Sequence, residues 1–461
     1  MTAMPAIDNG INGTNGNGSN GVNDINGINA SDREAAVQQQ QTQDNGVLPS
    51  RPLSLADHRA YYGALPGPDR LPLGELAAML GHAGVRGRGG AGFPLYRKIL
   101  SVSGAARSRR VAPTIIANGC EGEPASHKDK HLLWLAPHLV LDGLVLLGRE
   151  LRATRAVLAI EAGAPHGKGD LVRRVREAVG ERDVRQDGVR IELVEVPGRF
   201  IAGESAALVS TLDGGPGLPG YREQSVRERG VGGAPTLIQN VETVAQVALI
   251  ARYGADWFRD YGTAAEPGPQ LFTVYAGRNR PRVVHAAAGT PLWPLIADAD
   301  PIDAVLIGGY HGSWISAPLA RHANLTEADL DVPLGAGLIA ALPAERCGLA
   351  ETAHIVRYLA LESAGQCGPC LNGLPRIAAA LEQLADPHHA SREDNLLDDL
   401  ERWSGMVEGR GLCHHPDGSV RLVRSALLVF RTEIAAHRAG VCTGGDRRPL
   451  LPAPARDYAA R

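Results

Sequence analysis

Three cysteines in this chain have a spacing that suits a metal or an iron–sulfur site. Cys367 and Cys370 form a C-x2-C turn, and Cys413 follows 43 positions after the second of them. Such sites need several thiolates to converge on one small volume, which a tight turn helps to achieve. A redox dithiol or ordinary buried thiols also fit the pair. Cys347 and Cys442 are spare thiols.

A glycine-rich turn forms a second candidate site, because five of the nine residues 84–92 are glycine. Arg86 and Arg88 add positive charge, Pro94 is predicted at the first position of the next helix, and Lys98 lies one turn further. Glycines let the backbone approach a flat ring or a phosphate, and free N–H groups at a helix start attract anions. The preceding segment has a helical pattern, so a Rossmann site is not indicated. Nucleotide or phosphate binding is favoured over a mobile loop.

The few lysines of the chain are concentrated near this turn. The sequence has four lysines against 43 arginines, and three of the four, Lys98, Lys128 and Lys130, fall within residues 86–130. A compact ammonium charge differs from a planar guanidinium in the contacts it makes. The distribution suggests that a point charge is needed in this region.

An acidic turn follows the first predicted strand. Asn118, Cys120, Glu121 and Glu123 come directly after an apolar run that ends at residue 118. Ligand sites in open α/β sheets lie beyond the carboxyl ends of strands, and carboxylates accept hydrogen bonds from ribose hydroxyls or a flavin edge. A solvated, charged turn is the simpler interpretation. Together with the glycine-rich turn, the segment predicts a joint site.

Hydrophobic periodicity indicates which elements position these residues. Short aliphatic runs predict buried strands, and amphipathic stretches between them predict helices, an alternation typical of an α/β layer fold. The predicted strands are 111–118, 156–162 and 189–196, and the predicted helices are 137–149, 165–179, 204–212 and one capped by Asn240 that runs to Arg252. Shorter strands follow at 271–275, 282–285 and 304–308, and helices return at 353–362, 374–384, 396–406 and 423–436.

The same patterns divide the chain into five parts. Repeated Asn-Gly units and a glutamine run have little apolar surface to bury, so the N-terminal segment is predicted to be disordered. The parts are an Asn/Gly-rich tail (1–50), an α/β domain (51–255), a small β-rich module (256–342), a helical bundle (343–445) and a short tail (446–461).

Composition excludes several classes of protein. The net charge is -3, which argues against a nucleic-acid binder that depends on counterion release. No run reaches the roughly 18 apolar residues that cross a bilayer, so direct membrane insertion is not expected. The N-terminus lacks a secretory pattern, which predicts a cytoplasmic location. Six cysteines in 461 residues are too few for a disulfide framework.

Taken together, the motifs resemble one family: the NADH-binding flavoprotein subunit of respiratory complex I and its relatives in NAD-linked hydrogenases and formate dehydrogenases. The resemblance covers roughly residues 84–440 in the same order. It rests on the segments 87–94, 118–129, 200–204, 235–243 and 362–370.

The resemblance implies an α/β flavin-binding domain, a small β-grasp-like (SLBB-type) module and a C-terminal four-helix bundle. It also implies FMN, an iron–sulfur cluster ([4Fe–4S] or a three-cysteine variant), NAD(P)H as substrate, and an electron-acceptor protein that is ferredoxin-like or an iron–sulfur subunit. The protein contributes positioning and electrostatics to the cofactor chemistry.

The same resemblance implies roles for individual residues. Phe93 would stack with the adenine side of the dinucleotide, and Glu123 would contact its nicotinamide end or ribose and serve as the catalytic residue. The cluster would be held by Cys367, Cys370 and Cys413. The cofactor-binding residues would be Gly87, Arg88, Gly89, Gly90, Ala91, Gly92, Lys98, Asn118, Glu121, Gly203, Glu204 and Asn240.

One departure from the family pattern concerns the cluster. Ala364 stands where the family has a cysteine, so three matching thiolates remain. The cluster would then be a three-iron form, or one iron would take a substitute ligand, or no cluster would bind. The substitutes considered are His414, His415, Cys347 and water.

Other departures concern the flavin and the dinucleotide. Cys120 replaces an acidic residue, Phe200 a tyrosine and Ser205 a glutamate, while Gly232 and Ala234 replace an aromatic residue and a lysine. The favoured hypothesis is an NAD(P)H dehydrogenase or diaphorase-like electron-input subunit. A flavoprotein with a protein electron donor is the second hypothesis. A degenerate scaffold subunit, with zinc in place of the cluster, is the third.

Overall fold

A computed structural model describes residues 47–163, 165–166, 169–221, 223–277, 280–297, 301–390, 395–446 and 448–454. The predicted disorder of the Asn/Gly-rich tail concerns mainly residues 1–46, which lie outside the described residues. Residues 43–461 belong to one compact unit.

A four-stranded parallel sheet lies at the centre of the first half of this unit. Its strand order is β5-β2-β1-β6, and β1 is almost continuously buried, as expected of a parallel strand covered on both faces. The strands of this half are β1 (Thr114–Gly119), β2 (Arg155–Glu161), the two-residue β3 (Pro165–His166) and β4 (Gly169–Asp170), β5 (Arg190–Val196) and β6 (Thr236–Asn240).

Helices pack against this sheet and begin where polar caps allow. Asn240 caps the helix after β6 through its side chain, as the sequence predicted. The helices are α1 (Leu55–Tyr62), α2 (Glu75–Ala83), α3 (Leu95–Arg109), α4 (Lys128–Leu135), α5 (Pro137–Leu151), α6 (Leu171–Gly180), α7 (Val184–Asp187), α8 (Ser205–Leu212), α9 (Val241–Tyr253) and α10 (Ala255–Arg259).

Two local predictions in this half are corrected. The helix predicted over 165–179 begins only at Leu171, because β3 and β4 pair first and the Asp170 side chain then caps the helix by accepting from the Arg173 N–H. Pro94 precedes α3 as its N-cap residue instead of occupying the first helical position. In both cases the chain enters the helix later than the local pattern indicated.

A five-stranded mixed sheet follows. Its order is β10-β9-β11-β7-β8, with β11 and β7 parallel and the other neighbours antiparallel. The elements are β7 (Pro269–Ala276), β8 (Arg282–Ala287), α11 (Trp293–Ile296), β9 (Ile302–Ile307), β10 (Ser313–Ser316), α12 (Ala317–His322), α13 (Glu327–Leu330) and β11 (Leu338–Pro343). The three predicted strands are confirmed: β7 and β8 are longer than predicted, and β9 covers 302–307 instead of 304–308. Strands β10 and β11 were not predicted.

The last part of the unit is helical. It consists of α14 (Gly348–Leu361), α15 (Leu374–Ala385), α16 (Pro387–Ala390), α17 (Leu396–Val407), α18 (His415–Val429) and α19 (Arg431–Arg438). The single helix predicted over 423–436 is wrong, since the chain bends at Phe430, which packs into the apolar core and against Trp314. The predicted bundle therefore gains a separate final helix.

Among the described residues, no single helix has the length and apolar character needed to span a bilayer. Helices α4 and α5 reach that length and composition only as a pair, with a bend of 92° between them.

Candidate functional site

The glycine-rich turn is a closed loop at the start of α3. Arg86 and Pro94 form an antiparallel bridge, and the Gly87 N–H donates to the Phe93 carbonyl at 3.0 Å. Gly90 and Gly92 have φ of 106° and 59°, a left-handed region that favours glycine. The sequence therefore uses its glycines to turn the backbone and expose peptide groups, with Ala91 between the two.

This turn packs directly on the start of α9. The Arg88 N–H donates to Thr243 Oγ1 at 2.9 Å, and a Cβ placed on Gly89 would lie 3.5 Å from Cβ of Asn240. The predicted phosphate-binding turn and the predicted Asn240 segment, more than 140 residues apart in the chain, are thus brought together.

Buried ion pairs connect the turn to the acidic segment. Arg88 Nε lies 3.6 Å from a Glu242 carboxylate oxygen, and Lys128 Nζ lies 2.9 Å from the other oxygen and 2.7 Å from Asp129. Asn240 Nδ2 donates to Asp129 at 2.5 Å. We call Arg88, Lys128, Asp129, Asn240 and Glu242 the buried ion network.

Neighbouring charges shift the pKa values of Lys128, Glu242 and Asp129 in this network. Burial alone would lower the pKa of Lys128, but the surrounding carboxylates raise it above its usual value. Burial would likewise raise the pKa of Glu242, but Lys128 and Arg88 keep it below its usual range. Burial, opposed by Lys128, raises the pKa of Asp129 to about 6. At neutral pH the network is therefore held together by full charges.

The acidic turn is joined to the loop before α8. Asn118 Nδ2 donates to the Gly203 carbonyl at 2.8 Å, and its Oδ1 accepts from the Cys120 N–H at 3.1 Å. A Cβ on Gly203 would lie 2.9 Å from the Cys120 carbonyl, so this close approach depends on glycine. Glu204 caps α8 by accepting from the Ala206 and Ala207 N–H groups.

Glu121 is buried under the turn and is fully engaged. It accepts from the Asp129 and Lys130 N–H groups at 3.1 Å each and from Ser126 Oγ at 2.5 Å. Burial alone would raise the pKa of Glu121, but Lys130, Lys128 and these hydrogen bonds keep it below its usual range. The Glu121 carboxylate therefore binds the backbone at the start of α4 and orders the chain around the site.

Glu123 has an oxygen that is not engaged. Its Oε2 accepts from the Tyr310 N–H at 3.1 Å, while Oε1 is buried without a hydrogen-bond partner among the described residues. Burial raises the pKa of Glu123 to about 8, against the effect of the Tyr310 N–H. At neutral pH this side chain is mostly a neutral acid that can both donate and accept a hydrogen bond.

We expect Glu123 to make the stability of the protein depend on pH. Its pKa is higher in the folded chain than the ordinary value of 4.5, so it favours folding at low pH and loses that contribution as pH rises to about 8. Between these values the free energy of unfolding of the wild type should fall relative to Glu123→Gln, by at most ~1.4 kcal/mol per pH unit. Urea titrations across this range measure it. Parallel curves for the two proteins would contradict the assignment.

An exposed aromatic ring with two cations flanks the glycine-rich turn. The Phe93 ring lies 5.9 Å from Lys98 Nζ and 5.4 Å from the Arg227 guanidinium. Burial, helped by Arg227, lowers the pKa of Lys98. A cation pair around an exposed ring suits an anionic ligand with a stacking group.

The cysteine cluster lies beside the loop that contains Gly203 and Glu204. The Sγ atoms of Cys367 and Cys370 are 3.6 Å apart. Burial raises the pKa of Cys413 to about 11, and the negative charges of Cys370, Glu204 and Cys367 add to this effect. Cys367 and Cys370 are thus a close pair of thiols, and Cys413 as a third iron ligand stays a prediction.

The backbone at Ala364 and Gly365 acts on the Cys370 sulfur. Burial raises the pKa of the Cys370 thiol, while the N–H groups of Gly365 and Ala364 lower it. The backbone of residue 364, where the family pattern has a cysteine, is therefore close to this thiol.

The structure weakens two of the substitute ligands. His415 is buried with both ring nitrogens engaged, one with His311 at 3.1 Å and one with the Leu359 carbonyl at 2.8 Å. Cys347 lies beside His437 instead, with 3.7 Å between Sγ and Nε2. His414, by contrast, is exposed and lies 3.5 Å from Asp417.

A direct hydrogen bond links segment 200–204, which the resemblance predicts to be a flavin loop, to segment 362–370, the predicted cluster motif. The Phe200 N–H donates to Glu362 Oε2 at 2.8 Å, and Glu362 begins the segment that contains Cys367. The Phe200 ring lies between aromatic side chains of the mixed sheet and the helical part, including Tyr310, His311 and His415. The two candidate sites are therefore adjacent.

A separate open cleft lies on the glycine-rich turn. It is lined by the turn together with Glu266, Gln270, Glu327 and Gly335. Of the predicted cofactor residues, Gly87, Arg88, Gly90 and Gly92 line it. One side of the glycine-rich turn thus packs on Asn240, and its other side lines this cleft.

Comparison with known proteins agrees with this geometry. Residues 80–249 match the Nuo51 FMN-binding domain, and residues 350–437 match the NADH-ubiquinone oxidoreductase-F iron–sulfur binding region. The NADH-quinone oxidoreductase-F protein of Mycobacterium tuberculosis is 30% identical over 424 residues, which cover 86% of this chain and 92% of the relative. The chain belongs to the NADH-quinone oxidoreductase-F family.

Two further relatives support the assignment to the NADH-quinone oxidoreductase-F family. The mitochondrial NADH dehydrogenase [ubiquinone] flavoprotein 1 of Dictyostelium discoideum is 28% identical over 370 residues, or 76% of each chain. A solved NAD+-reducing [NiFe]-hydrogenase in the H2-reduced state has a TM-score of 0.73 at 25% identity and covers 90% of this chain and 73% of its own. The family resemblance predicted from the motifs is confirmed.

Several residues of the site were not predicted from the sequence. Gln270, Tyr310 and Arg227 contact predicted residues from distant parts of the chain. Glu242 and Glu362 lie in the motif segments but were given no role, and they make contacts of the same kind. The Lys128–Asp129 pair was noted as part of a motif, and the shortage of lysine elsewhere was the one signal that Lys128 has a specific partner.

Proposed function

We propose that this chain is an electron-input flavoprotein, which takes electrons from NAD(P)H and passes them through FMN to an iron–sulfur cluster and then to a protein acceptor. The observation that carries the proposal is the hydrogen bond from Phe200 to Glu362, because it joins the flavin loop to the cluster motif. FMN, when bound, supplies the conversion of hydride transfer into single-electron transfer.

The residues of the chain would share the work as follows. The N–H groups of the glycine-rich turn and Lys98 bind the phosphate, while Asn118 and Gly203 form a backbone-lined contact for the ring. Phe93 stacks with the adenine side of the dinucleotide. Glu123, whose Oε1 is buried and unsatisfied, provides a hydrogen bond for the nicotinamide end or ribose. Cys367, Cys370 and Cys413 ligate iron.

The proposal extends to the arrangement of modules. The first and last strands of the mixed sheet, β7 and β11, pair in parallel at its interior, which supports a β-grasp-like module between the flavin and helical parts. The acceptor is proposed to be a ferredoxin-like or iron–sulfur subunit.

We expect the anaerobically purified protein to be yellow and to lose its flavin absorbance band when NADH is added. Flavin content and anaerobic absorbance titrations with NADH and NADPH measure this, and dithionite is the control that shows the flavin to be reducible. A colourless protein that stays colourless after incubation with FMN would contradict the proposal.

A protein electron donor is the second candidate. Gly232 has φ of 56°, and a Cβ placed on it would meet open space, so the turn presents no side chain at the position where the family has an aromatic residue. Bleaching by a reduced ferredoxin-type donor, but not by NADH or NADPH, would favour this candidate over the first.

A further inference from the structure

Four metal-ligating side chains meet at the far end of the helical part of the chain. One ligand atom from each of Cys347, Glu433, His437 and Cys442 lies within 4.8 Å of all the others. We propose that these four residues bind a structural Zn²⁺ ion. The site is separate from the three cysteines assigned to the cluster, and it does not depend on the proposed electron transfer.

The distances suit a tetrahedral ion. Cys347 Sγ lies 3.7 Å from His437 Nε2, and Glu433 Oε1 lies 3.8 Å from the same nitrogen. Zinc bound to sulfur and nitrogen at its usual bond lengths holds those two ligand atoms about 3.5 Å apart. Only a small contraction would therefore bring the ligands to bonding distance. Two thiolates with one imidazole and one carboxylate are ligands that zinc accepts.

The surrounding contacts orient the ligands towards one point. His437 Nδ1 lies 2.9 Å from the Leu384 carbonyl, so this nitrogen carries the proton and Nε2 is left as the metal-binding atom. Glu433 Oε2 accepts from the Gly348 N–H at 3.2 Å, which leaves Oε1 buried and without a hydrogen-bond partner among the described residues. A buried, unsatisfied carboxylate oxygen is costly unless a ligand satisfies it.

The start of α14 orients the Cys347 side chain. Cys347 is the N-cap residue of α14, and its Sγ accepts from the Ala350 N–H at 3.2 Å, which fixes the direction of the sulfur. On binding, each thiol would release its proton to solvent, and the charge of Zn²⁺ would offset the two thiolates, so that the site keeps the single negative charge of the Glu433 carboxylate.

The ligand spacing shows what the ion would do. Glu433 and His437 are four residues apart on α19 and so share one face, Cys442 follows the end of that helix, and Cys347 is the N-cap residue of α14. The ion would join the first and last segments of the helical part, where the Cys347 N–H also donates to the Asp446 carbonyl at 3.2 Å. Closing a loop of this length restricts the unfolded chain and stabilises the fold.

Metal analysis of the full chain tests the proposal. We expect one zinc per chain besides any iron, and Co²⁺ substitution should give the intense visible bands of a tetrahedral thiolate complex. Cys442→Ser and His437→Gln should each lose most of the zinc and keep the iron and flavin. Cys413→Ser is the reciprocal control, which should lose iron and keep zinc.

A second measurement keeps the test decisive if a variant fails to fold. Chelation of zinc from the wild-type protein should lower its melting temperature, and added Zn²⁺ should restore it. The proposal is overturned if the wild type holds no zinc and takes up no Co²⁺. It is also overturned if Cys442→Ser retains full zinc, or if thiol labelling and mass spectrometry show Cys347 and Cys442 joined as a disulfide in the protein as purified.

Discussion

The Ala364→Cys variant is expected to hold a more complete and more stable iron–sulfur cluster than the wild type. The Sγ atoms of Cys367 and Cys370 are 3.6 Å apart, and the backbone N–H of residue 364 acts on the Cys370 sulfur, so a cysteine at this position would add a thiol close to the pair. Iron should rise from about three to about four atoms per chain, because the last iron gains a thiolate ligand.

Iron and acid-labile sulfide analysis measures the change, and electron paramagnetic resonance of the air-oxidised protein distinguishes three-iron from four-iron clusters. Ser363→Cys is a matched control, since it adds a thiol one residue away and should leave the iron content unchanged. Cys413→Ser should abolish the cluster. Equal iron in Ala364→Cys and the wild type would show that a substitute ligand already completes the site or that no cluster forms.

Local sequence patterns predicted three of the four parallel strands, β1, β2 and β5, and the helix capped by Asn240, because these elements depend on short-range chemistry. A run such as that of β1 is apolar enough to be buried on both faces, and a side-chain cap needs only neighbouring residues. The hairpin formed by β3 and β4 was not predicted, although the sequence contains Asp170, the residue that caps the following helix α6. The bend at Phe430 was missed because the apolar periodicity continues through it.

The contacts that assemble the site could not be predicted in this way. Glu242 and Lys128 are separated by 114 positions, and Phe200 and Glu362 by 162. Such pairs are decided by how sheets and helices dock, and the periodicity of one segment contains no information about its distant partner. The same reason applies to Cys347 and His437, which appeared unrelated in the sequence and are neighbours in the fold.

Replacing Lys128 with methionine is expected to destabilise the protein by about 3–5 kcal/mol, because the change leaves two buried carboxylates without their shared cation. Lys128 is buried and pairs with Asp129 at 2.7 Å and with Glu242 at 2.9 Å. Urea unfolding at neutral pH measures the loss. Arg173→Met is the control, since it breaks an exposed pair with Glu177 at 3.2 Å, and such pairs contribute at most ~1 kcal/mol.

The triple variant Lys128→Met, Asp129→Asn, Glu242→Gln separates the effect of charge from that of packing. With the carboxylates neutralised, most of the lost stability should return if unpaired charge is the cause, and little should return if packing of the lysine stem is the cause.

The flavin content of the single variant Lys128→Met should fall as well. Asp129 accepts a hydrogen bond from Asn240, and Glu242 forms an ion pair with Arg88. Without Lys128, repulsion between the two carboxylates would loosen the glycine-rich turn that binds the phosphate. An equal loss of stability in Lys128→Met and Arg173→Met, with flavin retained in both, would show that the buried ion network does not position the site.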